Sequence, residues 1–146
     1  MAPVITLTAA TLLARLAGLL GADALTDWQL CLRIGLAAMF TLTGAVHFHP
    51  KFRTDMARMI PRRLPAPALL VTATGILELA GAAGLLIPAT AGAAAWCLAA
   101  LLIAMYPANY SAAKRGIPLA GSPATPIGIR TAEQALFIAL CTLAAL

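Results

Sequence analysis

Four runs of about twenty apolar residues, Trp28 to Phe48, Ala66 to Ile87, Ala91 to Tyr110 and Ile127 to Leu146, constrain this chain more than any other feature. About twenty such residues, rising 1.5 Å each, cross the hydrocarbon core of a bilayer as one helix. The composition agrees: 62% of residues are hydrophobic and 10% charged, against roughly 45–50% and 25% in soluble domains. The expected fold is therefore all-α, an integral membrane four-helix bundle over residues 28–146. An additional N-terminal hydrophobic helix is expected within residues 1–27. Over half the chain is used by the four runs, which leaves no room for a separate soluble catalytic domain. Any chemistry has to sit on or between helices.

The N-terminal stretch from Ala2 to Ala24 is long enough to span but carries Arg15 near its middle. An Arg at a helix centre costs roughly 2.5–3.5 kcal/mol on insertion scales. Thr8, Thr11 and Arg15 fall at i, i+3 and i+7, a narrow polar stripe that suits an interfacial or docked helix, with a fifth span as the alternative. No basic region precedes the apolar stretch, so a cleaved signal peptide is not expected. Between the first and second runs, His49-Pro50, Pro61, Pro65 and Pro67 prevent either flanking helix from continuing through. There Asp55, Met56, Met59 and Ile60 suit a short amphipathic turn on the membrane surface. The segment Ser111 to Pro126, with Gly116, Pro118, Gly121, Pro123 and Pro126, reads as an irregular connector.

Net charge is +5, and half of all Lys and Arg fall in one loop: Lys51, Arg53, Arg58, Arg62 and Arg63. Positive loops stay cytoplasmic. This places loop 49–65 inside, with Lys114 and Arg115 on the same side, and the uncharged turn around Pro88 and the C-terminus at Leu146 outside. A basic cluster flanking a span is explained by the lipid bilayer, and no nucleic-acid partner is expected.

Ionisable groups inside a membrane are expensive and face the bundle interior or a cavity. Glu78 stands about twelve residues into its run. Arg33, on the first run, is the expected ion-pair partner of Glu78. Arg33, Leu36, Phe40, Gly44 and His47 share one helix face, which must look inward. Arg130, Gln134, Phe137 and Cys141 share another, with Glu133 beside them. Two polar layers follow: Arg33 with Glu78, and His47, Asn109, Arg130, Glu133 and Gln134 near the inner helix ends. Such groups either fix helix register or hold a proton-exchanging small molecule, Glu78 and His47 handling protons. A quinone head group fits the second case, because it needs hydrogen-bond donors at its oxygens and apolar walls for its tail. Cys31, Cys97 and Cys141 show no CxxC or metal-ligand spacing, and no metal site is expected. Classical hydrolase and nucleotide motifs are absent.

Several of these features together resemble the DoxX-like family of small bacterial membrane proteins. They are Gly44-Ala45-Val46-His47-Phe48, Pro61-Arg62-Arg63-Leu64-Pro65, Gly75-Ile76-Leu77-Glu78-Leu79-Ala80-Gly81, Gly84-Leu85-Leu86-Ile87-Pro88 and Tyr106-Pro107-Ala108-Asn109. The resemblance covers Leu30 to Leu146. It implies a four-helix inner-membrane protein linked to quinone redox systems, with Arg33, His47, Glu78 and Asn109 as the matching polar positions. Two functions are expected from it: a quinone-binding redox subunit, or a non-catalytic accessory subunit packed against other membrane subunits or further copies of itself.

Overall fold

Each apolar run forms a helix that stops where the sequence supplies punctuation, as the computed structural model describes for residues 1–146. The elements are α1 (Ala2–Leu19), α2 (Trp28–Val46), α3 (Pro50–Met59), α4 (Pro67–Leu85), α5 (Ala91–Arg115) and α6 (Ile127–Ala145). No strand is present. Asp27 caps α2 by accepting from the amides of Gln29 and Leu30. Proline opens both α3 and α4, where its missing N–H and fixed φ are tolerated. α5 runs past Tyr110 and ends at Gly116, whose φ of 62° closes it in the left-handed conformation. The residues from Ser111 to Arg115 are therefore helical, and the irregular connector begins later than its sequence implies.

α2 is the central helix, packed against α1, α4 and α6, while α5 lies against α4 and α6. The core is built from Leu7, Leu36, Met39, Phe40, Leu85, Leu98, Phe137 and Cys141, among others. Outside, Leu12, Leu69, Ile76, Leu77, Trp96, Ile103, Leu136 and Leu143 are exposed. An apolar exterior around buried polar groups is the arrangement lipid requires. Five helices, α1, α2, α4, α5 and α6, are long and apolar enough to cross a membrane. Of the inward faces read from the sequence, Leu36, Phe40 and Gly44 are buried on α2, with His47 at its C-cap, and Gln134, Phe137 and Cys141 on α6, while Arg33 and Arg130 are only half-buried.

α1 docks antiparallel along α2. Its Leu7, Thr11, Ala14 and Gly18 are buried, with Thr11 facing Gly35 and Gly18 facing Leu25. The helix ends at Leu19, so Arg15 lies in its penultimate turn rather than at its centre, and its guanidinium donates to the Thr26 carbonyl. Thr8 is exposed while Thr11 is buried, so the stripe expected with Arg15 does not form one continuous face. Small residues elsewhere serve packing: Gly81 receives Leu98, and Gly84 receives Ala94, across the α4–α5 interface.

The basic residues gather at one end. α3, a ten-residue helix where a single turn was expected, covers this end of the bundle. It is tied down on two sides. Arg53 donates to the Thr72 hydroxyl at 2.8 Å, Asp55 accepts from the Ala120 amide at 3.0 Å, and Arg115 donates to the Arg58 carbonyl.

The contact between α1 and α2 yields a test. A Cβ at Gly35 would collide with the Thr11 hydroxyl and stand 2.8 Å from the Leu7 carbonyl, a backbone atom that cannot move aside cheaply. Gly35→Val is expected to destabilise the fold by about 1–3 kcal/mol, the usual range for overpacking. Thermal unfolding in detergent should show a lowered Tm, whereas Gly128→Val, which meets open space, should leave it nearly unchanged.

Candidate functional site

One cavity of about 470 Å³ opens within the bundle towards the end covered by α3. Its volume falls within the roughly 300–1,000 Å³ of small-molecule sites. Walls come from every helix, and its polar groups form two sets, one on α2 and α4 and the other on α5 and α6.

The first set centres on Thr43. One turn along the same helix face, His47 places Nδ1 at 2.8 Å from the Thr43 carbonyl. A carbonyl oxygen can only accept, so Nδ1 carries the proton and Nε2 is the nitrogen left to face the cavity. That nitrogen lies 3.9 Å from Glu78 Oε1. The Thr43 hydroxyl donates to the other carboxyl oxygen, Oε2, at 2.5 Å. Thr43 therefore holds both members of the pair, one through its backbone and one through its side chain. Gly75, one turn before Glu78 on α4, lets the α2 backbone approach, since a Cβ there would stand 2.7 Å from that of His47. His47 and Glu78 are both buried, at 9% and 3% exposure, so neither has bulk water to fall back on.

In the second set, the groups form a chain. Arg130 donates to Asn109 Oδ1 at 3.1 Å, Asn109 donates through Nδ2 to Gln134 Oε1 at 2.9 Å, and Gln134 donates to the Leu102 carbonyl. Pro107 lies within α5 and has no N–H for the Ile103 carbonyl one turn before it. One donor is left over: Arg130 Nε is buried and has no partner within the chain. Glu133 lies nearby on α6, 3.6 Å from the N-terminal amine.

Five of the six expected site residues, His47, Glu78, Asn109, Arg130 and Gln134, thus line one cavity. Arg33 does not. Instead of pairing with Glu78, it donates through Nε to the Ala144 carbonyl at 3.0 Å, capping the C-terminal end of α6 with help from Gln29. Its distance along the helix explains why: Thr43, the residue level with Glu78, is ten positions or about 15 Å away, beyond the reach of an Arg side chain. A positive group also belongs at the last carbonyls of a helix. The two expected layers accordingly redistribute, with Glu78 joining His47. Thr43 is the site residue that a search for ionisable groups passes over, although its i, i+4 spacing to His47 marks it.

Cys31, Cys97 and Cys141 are free. Cys31 and Cys141 are buried in the core, and none of the three lines the cavity.

The model of a family described as a domain of unknown function, DUF8561, matches residues 36–145, which include every polar residue of both sets. No curated protein and no solved structure matches the chain. The DoxX-like resemblance rests on its sequence motifs alone.

The α5–α6 chain yields a stability test. Asn109→Leu would leave the Arg130 guanidinium and the Gln134 amide oxygen short of a partner, at about 1–3 kcal/mol for each buried group orphaned. Unfolding in detergent should reveal that loss, and Asn109→Asp, which retains the acceptor for Arg130, should recover part of it.

Proposed function

This chain belongs to the DUF8561 family, and we propose that it is a small inner-membrane subunit of a quinone-linked redox system, binding a quinone-like head group in the cavity. The observation that carries this reading is the convergence of His47, Glu78, Asn109, Arg130 and Gln134 on one cavity. A quinone head group needs hydrogen-bond partners at its oxygens and apolar walls for its ring and tail. Phe40, Phe137, Leu102 and Leu70 supply the apolar walls a ring and tail require.

A bound quinone would supply two-electron, two-proton chemistry, with electrons delivered by a partner dehydrogenase. The chain's own residues hold and move protons. Nε2 of His47 takes or gives one while Nδ1 remains fixed on the Thr43 carbonyl, and the Glu78 carboxyl, 3.9 Å from Nε2, exchanges with it through one bridging water. Arg130 and Asn109 orient a carbonyl oxygen of the head group from the other side. In this reading the α3 end, with Lys51, Arg53, Arg58, Arg62, Arg63, Lys114 and Arg115, faces the cytoplasm and the C-terminus faces the periplasm.

Purification in mild detergent followed by extraction of bound lipids tests the proposal. Quinone is expected at about one per chain. Arg130→Leu should weaken its retention roughly tenfold or more, in line with about 1.5–3 kcal/mol for a hydrogen bond from a charged group. Protein that carries no quinone and takes none up on titration would instead favour the accessory-subunit reading.

A further inference from the structure

All five methionines of the chain, Met1, Met39, Met56, Met59 and Met105, border this single cavity, although it is lined by only 26 of the 146 residues. Packing alone does not call for sulfur, since Ile60, Leu64, Leu70, Val71, Leu102 and Phe137 line the same walls. The thioethers come from three elements besides Met1: Met39 from α2, Met56 and Met59 from α3, and Met105 from α5. Met56 and Met59 are three apart on α3, hence on one face of that helix. We propose that the cavity binds Cu(I) through the thioethers of Met56 and Met59 together with His47, with Met105 and Met39 as further soft donors deeper in the bundle.

Soft thioether ligands select Cu(I), whereas harder divalent cations prefer carboxylate, carbonyl and water. Nowhere do three His, Cys, Asp or Glu side chains gather into a metal-binding group, whereas all five thioether side chains border one cavity. His47 adds a second, independent observation. A metal-ligating imidazole characteristically donates its other ring N–H to a carbonyl or carboxylate, and His47 Nδ1 does so to Thr43 at 2.8 Å, directing Nε2 to the cavity. Glu78 places a carboxyl oxygen 3.9 Å from that nitrogen. No cysteine lines the cavity, so the ion would be held by neutral sulfurs and remain exchangeable.

Cu(I) and a quinone would share this cavity and His47 Nε2 and so exclude one another, and the titration is therefore run on protein freed of quinone. Protein in lipid nanodiscs is titrated anaerobically with Cu(I) against a chromophoric Cu(I) chelator, beside a Met56→Leu/Met59→Leu double variant that conserves volume. One Cu(I) per chain is expected for the wild type. The double variant should lose at least the roughly tenfold that removal of a ligand's hydrogen-bonding partner causes. Methionines acting only as an adaptable wall would give a wild type that surrenders all Cu(I), or a double variant of equal affinity, and either result overturns the proposal. Should the double variant fail to fold, X-ray absorption at the copper edge of the wild type decides: sulfur neighbours support the site, and a shell of only nitrogen and oxygen overturns it.

Discussion

A carboxyl, an imidazole or an amide turned towards acyl chains has no water to bond, and the free energy of leaving it so exceeds what one helix contact can return. The scarce polar side chains of the spanning helices must therefore find one another, and doing so fixes how the helices stand. Thr43 is where this constraint is met most economically. Its hydroxyl donates to Glu78 and so ties α2 to α4, while its carbonyl fixes the His47 ring at the end of its own helix beside that contact. The chain Arg130–Asn109–Gln134–Leu102 does the same for α5 and α6.

The cavity follows from these two locks. Each polar set bonds across its own helix pair, with Arg130 Nε alone left over, and the space between the pairs is otherwise walled by Phe, Leu and Met. One backbone device keeps the α2–α4 contact in reach: Gly75 removes the side chain that would push α4 off His47. Because Arg33 is occupied with the end of α6, it adds no charge to the space. α3 completes the enclosure from the basic end, and its ties to Thr72, Ala120 and Arg115 make it a fitted cover rather than a surface turn.

Much of this was legible in the residues because hydrophobicity and period-3.6 patterning are local properties. The starts of α2, α5 and α6 fall where apolar runs begin, and the inward faces of α2 and α6 follow from spacing alone. Partner choice was not legible, because it depends on the relative height of two helices. That height is set by Gly44 and Gly75 at the α2–α4 crossing, and it puts Arg33 about 15 Å from the level of Glu78. Arg15 was misplaced for a simpler reason: Leu20 and the following Gly21 end α1, although the apolar composition continues to Ala24. The convergence of the methionines was invisible in sequence, since four of them lie on three helices and owe their proximity to the fold.

The central claim is that imidazole and carboxyl face each other inside the bundle. Solid-state NMR in lipid bilayers can measure the dipolar coupling between His47 Nε2 and the Glu78 carboxyl carbon. With only two His and two Glu in the chain, labelling by residue type suffices, and His49 to Phe removes the remaining ambiguity. The account predicts a coupling that matches the 3.9 Å approach of Nε2 to Oε1. A coupling too weak to detect, with both side chains in contact with lipid protons, would contradict it.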